Sequence, residues 1–228
     1  MKKILITGAS GNLGKAAVNK FVAQGFHVIA IVSPGKTLGY ETVSPVAIIE
    51  ADLSVEKSVE ETIAKIILDY KTIDAAVLTV GGFASGSIET ADGTSIQKML
   101  SVNFSTAYFV ARPVFIQMLK QESGRIIFIG SRPALNPKEG KNNVAYALSK
   151  SLLFNFSEML NASSSGKDVV CSVIVPSTID TPANRQAMPK ANFSQWVNPE
   201  DIAEAMYYLV SEKGQALREP VLKMYAGS

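Results

Sequence analysis

The chain has 228 residues, a formal net charge of +2, 47% hydrophobic residues and 18% charged residues. This length suits one folded domain, and the surplus of apolar residues is typical of a sheet that is buried on both faces. Lysines and arginines are scattered along the chain without a basic stripe, so no nucleic-acid or membrane partner is expected.

Cysteine usage and the N-terminal segment indicate a cellular compartment. Cys171 is the only cysteine, so the chain cannot form an internal disulfide, which fits a reducing cytoplasm. We expect Cys171 to be a buried hydrophobic residue, and no Cys/His grouping predicts a metal site. The apolar run at the N-terminus is too short for a signal peptide or a membrane span. A soluble cytoplasmic protein is therefore expected.

Short apolar runs alternate with longer segments of helical period along the chain. The runs predict seven strands, at residues 3–7, 27–32, 46–50, 73–79, 125–130, 169–175 and 220–225. The segments between them predict five helices, at residues 12–24, 55–70, 94–120, 144–162 and 199–211. This alternation predicts an α/β protein: a single-domain Rossmann fold over residues 1–228, with a doubly wound parallel sheet of about seven strands and helices on both faces.

The first predicted strand runs directly into a glycine-rich loop and then a helix. In such a loop Gly8 permits a tight turn, Gly11 lets the backbone approach a pyrophosphate, and Gly14 allows close packing of helix on strand. The N–H groups and dipole at the helix N-terminus favour phosphates, and this strand–loop–helix context is the one that a dinucleotide motif requires. The loop residues expected to contact the cofactor are Thr7, Gly8, Ser10, Gly11, Asn12, Leu13 and Gly14.

Polar and small residues also follow the later strands, and open parallel sheets bind ligands beyond the carboxyl ends of their strands. Asp52, next to Leu53, could accept a hydrogen bond from an adenine amino group; its alternative is to cap the next helix, as Ser54 could equally do. Gly81 and Gly82 remove side chains where a ribose would pass. Further expected cofactor contacts are Pro176, Thr178 and Thr181.

The choice between NAD and NADP is made near the end of the second strand. An acid there holds the ribose 2′-hydroxyl of NAD and repels a 2′-phosphate. This chain has Val32-Ser33-Pro34-Gly35-Lys36 instead, with no carboxylate. Ser33 and Lys36 could meet a phosphate, although arginine, the stronger donor, is also missing. The sequence therefore favours NADP(H) over NAD(H).

Tyr146 and Lys150 are four residues apart in Tyr-Ala-Leu-Ser-Lys, so a helix places both side chains on one face, about 5–6 Å apart at Cβ. The lysine cation favours the phenolate form of a neighbouring tyrosine, which lets the phenol supply or accept a proton near neutral pH. A nucleotide site combined with such a phenol indicates carbonyl/alcohol redox chemistry.

The chain resembles the short-chain dehydrogenase/reductase family across essentially its whole length. The features that carry the resemblance are the Thr7-Gly8 loop, Asp52, Asn103, Ser131, the Tyr146-x-x-x-Lys150 pair and the segment from Pro176 to Thr181. There are two departures. The second loop glycine usually falls where Asn12 stands, and Val80-Gly81-Gly82 replaces the usual Gly-Gly or Asn-Ala-Gly.

The resemblance implies a set of roles. Tyr146 would transfer the proton while a hydride moves between nicotinamide and substrate, and Lys150 would bond the nicotinamide ribose. Ser131 would hold the substrate oxygen, and Asn103 would position a water that relays protons to Lys150. In this family the two long helices pair with a neighbour's copies, so a homodimer or homotetramer is expected.

Residues 176–197 form a long irregular stretch, and loops of that length in a compact domain are usually functional. We expect a substrate lid. Phe83, Met188 and Trp196 could line an apolar pocket for a ring-shaped substrate, with packing in the core as the equal alternative. Residues 80–86, 180–189 and 193–196 resemble dihydropteridine reductases more closely.

The dihydropteridine reductase pattern implies no catalytic serine or asparagine and an acid after the second strand, whereas this chain has Ser131 and Asn103 and no such acid. The expected function is therefore an NAD(P)-dependent reductase of a small carbonyl or quinonoid substrate. Dihydropteridine reductase proper is the alternative among enzymes. A non-catalytic NAD(P)-sensing regulator is the alternative from another class.

Overall fold

The computed structural model describes residues 1–42, 46–164 and 166–227. Within these residues one sheet of seven strands has the order β3-β2-β1-β4-β5-β6-β7, and every neighbouring pair is parallel. The strands are β1 (Lys3–Thr7), β2 (His27–Val32), β3 (Ala47–Glu50), β4 (Ala75–Leu78), β5 (Ser123–Ile129), β6 (Asp168–Pro176) and β7 (Val221–Met224). The predicted doubly wound parallel sheet is confirmed.

Helices cover both faces of this sheet. They are α1 (Asn12–Ala23), α2 (Glu56–Tyr70), α3 (Gly93–Leu100), α4 (Thr106–Gln121), α5 (Arg132–Leu135), α6 (Pro137–Gly140), α7 (Val144–Ser163), α8 (Pro182–Ala187) and α9 (Pro199–Val210). Helices α1 and α9 pack together on one face, while α2, α4 and α7 cover the other. The carboxyl ends of all strands therefore lie at one edge, where a ligand of an open sheet binds.

The core explains the apolar composition of the chain. Successive residues of a strand point to opposite faces, so Ile4 and Ile6 pack towards α1 and α9 while Leu5 packs towards α2, α4 and α7. All three side chains are fully buried. A sheet covered on both sides thus needs apolar residues at consecutive positions. Cys171 is one of them: it is fully buried in β6, and burial raises the pKa of its thiol.

The predicted continuous helix over residues 94–120 is wrong in detail, because a π-helical segment (Ser101–Ser105) separates α3 from α4. The N–H of Thr106 donates to the carbonyl of Ser101, five residues earlier. By length and composition alone the segment 93–121 could cross a membrane. Its apolar composition has another cause here, since Val110, Val114 and Met118 are fully buried in the core.

Two other regions differ from the expectations. Residues 176–197 are not wholly irregular, because they include the last residue of β6, helix α8 and a 3-10 turn (Phe193–Gln195). Residues 131–143 contain α5 and α6, which the sequence did not predict. Each has only four residues and each has a proline at its start, Pro133 or Pro137, which presets the helical φ angle. Helices this short leave no periodic pattern to read.

Candidate functional site

The glycine-rich loop joins β1 to α1 in the way that the sequence predicts. Gly8 has a φ angle of +64°, and the N–H of Gly11 donates to its carbonyl at 2.9 Å. A Cβ atom on Gly14 would lie 2.1 Å from the Gly8 carbonyl oxygen, a distance that no side chain tolerates. Gly14 is therefore required for the first turn of α1 to pack directly on the loop.

The N-terminus of α1 is left open towards the edge of the sheet. Gly11 occupies its N-cap position, no side chain caps it, and its first turn has no acidic residue. Helix α3 is different, because the Asp92 carboxylate accepts from the N–H of Ser95 at 2.8 Å. Unpaired N–H groups with a positive dipole suit a pyrophosphate, so the loop fits the dinucleotide that its sequence predicts. Ser10 and Asn12 are exposed beside it and Leu13 is half-buried.

Strand β4 holds the loop from behind. The hydroxyl of Thr79 donates to the carbonyl of Thr7 at 2.6 Å, and Thr7 itself is buried. On the other side, the hydroxyl of Tyr40 donates to the carbonyl of Ala9 at 2.9 Å, and burial raises the pKa of Tyr40 to about 12. The loop is thus fixed by two side chains whose role the sequence did not reveal, since both bonds join residues distant along the chain.

The residues expected near the adenosine lie at the ends of β2 and β3. The carboxylate of Asp52 accepts from both the N–H and the hydroxyl of Ser54, at 2.9 and 2.6 Å, and these bonds lower its pKa. Asp52 therefore stabilises the turn before α2, but it does not cap the helix, whose N-cap residue is Val55. Leu53, beside Asp52, is buried in the core.

Residues 33–36, called here the β2 turn, follow β2 at the same edge. The N–H of Lys36 donates to the carbonyl of Ser33 at 3.0 Å, and both residues are exposed. The N–H of Gly35 donates to the carboxylate of Glu50 at 2.7 Å. The sequence places no acid directly after β2, but the pairing of β2 with β3 brings one there. Glu50 was missed because it comes 18 positions after Val32.

The expected catalytic residues meet where β5, the π-helical segment and α7 converge. The residues of this Tyr146 corner are Asn103, Ser131, Tyr146, Ser149 and Lys150. Ser131 follows β5 and is buried, and Lys150 is also buried on α7. Tyr146 lies one helical turn before Lys150 and is half-buried. The tertiary structure thus brings together all four of the residues that the sequence singled out.

Asn103 is fully buried in the π-helical segment, and its amide is completely engaged. Its Oδ1 atom accepts from the N–H of Gly82 at 2.9 Å, and its Nδ2 atom donates to the carbonyl of Gly82 and to the hydroxyl of Ser149, both at 3.0 Å. Ser149 in turn donates to the carbonyl of Tyr146 at 2.8 Å. Ser149 therefore couples Asn103 to the helix that carries Tyr146. A serine three residues after the tyrosine was the available signal for it.

Gly81 lies between the side chains of Asn103 and Lys150 in this corner. A Cβ atom on Gly81 would lie 2.9 Å from Oδ1 of Asn103 and 3.1 Å from Nζ of Lys150. The Nζ atom of Lys150 donates to the carbonyl of Ile129 at 2.7 Å. The glycine keeps open the space between the amide and the ammonium, where a side chain would push one of them aside.

Burial sets the protonation of this corner. It lowers the pKa of Lys150 from 10.5 to about 8, because the ammonium is removed from water. It raises the pKa of Tyr146, which the Ser131 hydroxyl partly offsets by lowering it. Burial of Tyr146 thus acts against the phenolate, which the sequence predicts Lys150 to favour. Apart from its interaction with Tyr146, the buried Ser131 Oγ has no hydrogen-bond partner among the described residues.

The proposed substrate residues lie at different depths. Phe83 is 65% exposed, and its ring meets that of Tyr146 edge-on, with centroids 5.0 Å apart. Met188 is also largely exposed. Trp196 is 8% exposed, and its ring meets that of Phe193 at a tilt of 52°, with centroids 4.8 Å apart. Phe83 is thus brought to Tyr146, whereas Trp196 is the buried end of the lid segment.

The lid segment is held by its own contacts. Arg185 on α8 makes a two-pronged ion pair with Asp180, at 2.6 and 2.7 Å, and its guanidinium lies over the Phe193 ring at 4.8 Å. The pair lowers the pKa of Asp180. The Thr181 hydroxyl accepts from the N–H of Asn184 and caps α8. This use of Thr181 was not predicted.

The start of the lid is anchored to the end of the sheet. Pro176 closes β6 in register with Met224 of β7. The carbonyl of Thr178 accepts from the N–H of Val197 at 2.9 Å. These bonds fix both ends of residues 176–197 beside the carboxyl edge of the sheet, where the glycine-rich loop also lies. The structure therefore brings Pro176 and Thr178 to the edge at which the sequence predicts a dinucleotide.

The parallel sheet, the loop closed on an uncapped helix and the buried Tyr146 corner define a Rossmann-fold oxidoreductase that uses a nicotinamide dinucleotide. The family model described as short chain dehydrogenase matches residues 2–192. The chain belongs to the short-chain dehydrogenase/reductase family and is an NAD(P)-dependent enzyme of that family.

Curated relatives are similar over nearly the whole chain. An acetoacetyl-CoA reductase of Acinetobacter sp. (strain RA3849) is 27% identical over 243 residues, covering 99% of this chain and 97% of the relative. A dihydropteridine reductase of Dictyostelium discoideum is 27% identical over 212 residues, covering 90% and 86% of the two chains. The solved structure of ElxO with NADP bound has a TM-score of 0.90 and 21% identity, covering 99% of this chain and 98% of that one.

Proposed function

We propose that this enzyme transfers a hydride between the nicotinamide of NADP(H) and a small carbonyl/alcohol or quinonoid substrate, with Tyr146 as the proton donor and acceptor. The observation that carries the proposal is the convergence of Ser131, Tyr146 and Lys150 at the carboxyl edge of the sheet, with Ser131 Oγ buried beside the Tyr146 hydroxyl. The dinucleotide supplies the hydride chemistry, and the chain's residues bind, orient and move the proton.

Tyr146 is protonated at neutral pH because burial raises its pKa. In the reducing direction it can therefore donate its proton to the substrate oxygen as negative charge develops there. The hydroxyl of Ser131 donates a hydrogen bond to the same oxygen and stabilises that charge. Lys150, with a pKa of about 8, is mostly cationic at neutral pH and favours the phenolate that Tyr146 leaves behind.

Asn103 acts on this corner through its neighbours. Its amide holds Gly82 and Ser149, and Gly81 keeps space open between the amide and Lys150. We assign Asn103 the positioning of the proton-relay path to Lys150. The relay water that the family resemblance implies would occupy that space, and a side chain at Gly81 would close it.

The substrate is proposed to be flat and unsaturated. Phe83 presents an exposed aromatic ring beside the Tyr146 phenol, and Met188 adds an exposed thioether from the lid. Aromatic rings favour planar partners, and Met adapts to irregular apolar shapes. Trp196 would contribute by supporting the lid. A small conjugated carbonyl or quinonoid ring suits the apolar surface that Phe83 presents beside Tyr146 and that Met188 presents from the lid.

The proposed preference for NADP(H) is supported by Ser33 and Lys36 in the β2 turn, which offer a hydroxyl and a cation to a 2′-phosphate. ElxO has been solved with NADP and with NADPH bound. The remaining cofactor contacts are proposed as the sequence predicts them, with Asp52 directed at the turn before α2 as well as at the adenine.

Compartment and assembly are also part of the proposal. A cytoplasmic location is supported by the single cysteine, which is buried in β6. A homodimer or homotetramer is supported by exposed apolar side chains on α4 and α7, the helices that the family resemblance pairs with a neighbour: Ile116, Leu148, Leu152 and Met159. Sedimentation velocity would measure the mass, and a monomer at micromolar concentration would contradict this expectation.

The two alternatives are less well supported. Dihydropteridine reductase proper needs no catalytic serine, yet Ser131 is buried beside Tyr146 with its hydroxyl directed at the phenol. A sensor of NAD(P) needs no proton donor, and a buried lysine is costly to retain without a use for it. Neither alternative accounts for the Tyr146 corner.

Replacing Tyr146 by phenylalanine tests the proposed function. The change removes the proton and keeps the ring against Phe83, so kcat should fall roughly 10²–10⁴-fold while NADPH still binds. Turnover would be followed by nicotinamide absorbance with a panel of carbonyls and quinonoid compounds, and binding by fluorescence. Tyr208→Phe, on the exposed side of α9, is the matched control and should keep full activity. Full activity in Tyr146→Phe would refute the assignment.

A further inference from the structure

A carboxylate meets the β2 turn from the neighbouring strand. Glu50 is the last residue of β3 and pairs in register with Val32, the last residue of β2. Its Oε2 atom accepts from the N–H of Gly35 at 2.7 Å. The turn therefore holds an anion already, at a backbone N–H that would otherwise be free to bind one.

The end of β2 is where dinucleotide-binding folds distinguish the two cofactors. An acid there accepts from the ribose 2′-hydroxyl of NAD, and a cation there accommodates the 2′-phosphate of NADP. Lys36 supplies a cation from the turn itself. Glu50 supplies an acid by strand pairing, so residues of both signs of charge lie at this turn.

Asp52, just after β3, is engaged in its own turn. Its carboxylate is bound to the N–H and the hydroxyl of Ser54, at 2.9 and 2.6 Å, and so serves its own turn. Glu50 lies two residues earlier, on the same face of β3 as Ile48. Ile48 lines a surface hollow of about 660 Å³ together with residues 37–42 and Val46, so the exposed face of β3 that carries Glu50 also borders this hollow.

We infer that Glu50 is a specificity-determining residue that opposes the 2′-phosphate of NADP(H), so that the preference of this enzyme is set by the balance of Glu50 against Lys36. The inference rests on the proposed dinucleotide site and deepens it. An exposed carboxylate near a phosphate weakens its binding by a modest factor, because water and salt screen the repulsion. Wild-type enzyme should consequently use both cofactors, with only a small preference.

Two variants separate the effect of the Glu50 charge from that of the hydrogen bond that Glu50 accepts from Gly35. Glu50→Gln keeps a carbonyl oxygen that can accept from Gly35 but removes the charge, whereas Glu50→Ala removes both. In Glu50→Gln the dissociation constant for NADPH should fall about tenfold and that for NADH should change less than about twofold. Lys36→Met should raise the dissociation constant for NADPH by a similar factor. Glu56→Gln, which removes an exposed carboxylate from the first turn of α2, is the matched control and should leave the ratio unchanged.

The readout is binding, measured by fluorescence titration of NADPH and NADH and by competition with adenosine 2′,5′-bisphosphate and with adenosine 5′-monophosphate. An unchanged ratio in Glu50→Gln, or a change seen only in Glu50→Ala, would overturn the inference and leave Glu50 a turn-stabilising residue. If wild-type enzyme binds neither dinucleotide, the proposed function itself fails. If both bind and only the Glu50 ratio is unmoved, the proposed function stands without this inference.

Discussion

The Tyr146 corner and the β2 turn, which we propose to serve the same dinucleotide, are built in opposite ways. In the corner, Asn103 and Lys150 are buried, and both are held by specific partners. In the β2 turn, Ser33 and Lys36 are exposed, and the bonds from Lys36 N–H to Ser33 and from Gly35 N–H to Glu50 support the arrangement. Proton transfer needs fixed geometry and perturbed pKa values, which require burial. Cofactor choice needs only a balance of exposed charges, so it can change without disturbing the fold.

Lys150→Met gives the largest expected effect in this comparison. It should lower the activity and raise the stability of the fold. Activity should fall roughly 10²-fold or more through loss of the cation beside Tyr146. Stability at neutral pH should rise by roughly 2–4 kcal/mol, because a buried group whose pKa falls from 10.5 to about 8 penalises folding.

The pH dependence of the free energy of unfolding tests the penalty for burying Lys150. Between about pH 8 and 10.5 the unfolded chain holds a proton on Lys150 that the folded chain has lost, so the contribution of Lys150 to stability should rise with pH across that window. Below pH 8 both states hold the proton and the full penalty applies. Cys171, whose pKa is raised by burial, contributes the opposite slope, but it does so equally in wild type and in Lys150→Met. Urea unfolding from pH 7 to 10.5 would measure it. If Lys150→Met shows the same slope as wild type, Lys150 is not the titrating group.

Asn103→Ala should have the next largest effect. It leaves Ser149 and both backbone groups of Gly82 without their partner, which should cost roughly 2–4 kcal/mol of the free energy of unfolding. Ser149→Ala removes only one of the bonds to the amide and should cost roughly 1 kcal/mol. Denaturant unfolding would compare the two variants. Equal losses would show that the Gly82 bonds contribute nothing.

Gly81→Ala probes the space between the amide and the ammonium. Its methyl group would lie 2.9 Å from Asn103 Oδ1 and 3.1 Å from Lys150 Nζ, so one of them must shift. We expect kcat to fall about tenfold with little change in the dissociation constant for NADPH, because the displacement is confined to the proton path. Gly93→Ala, where no atom lies within 4 Å of an added Cβ, is the control. Unchanged kcat in Gly81→Ala would remove the relay from the proposal.

Salt should produce the smallest effect, and only at the β2 turn. Raising ionic strength from 50 to 500 mM shortens the Debye length to about 4 Å and screens both Lys36 and Glu50. The NADPH-to-NADH affinity ratio of wild-type enzyme should therefore change little, while that of Glu50→Gln should fall a few-fold. Titrations at both salt concentrations measure this. A wild-type ratio as salt-sensitive as that of Glu50→Gln would mean that Glu50 does not offset Lys36.

The glycine-rich loop was predictable because its requirements are local. Gly8 and Gly14 lie six residues apart, and the contact between them needs only the strand–turn–helix that the local pattern specifies. The pair Tyr146 and Lys150 was predictable for the same reason, since helical spacing decides it. The π-helical segment around Asn103 was not, because one extra residue per turn leaves no signal in the hydrophobic period.

The sequence by itself determined the seven-stranded parallel sheet, the dinucleotide loop and the identity of the expected catalytic residues, because strand periodicity, turn geometry and helical spacing act over a few residues. Only the tertiary structure decided which distant groups share a site. Strand register placed the Glu50 carboxylate at the β2 turn, and the packing of β5 and α7 buried Ser131, Lys150 and Asn103 together. Burial and long-range pairing depend on the whole fold, and these two effects set the pKa of Lys150 and the charge that faces the cofactor.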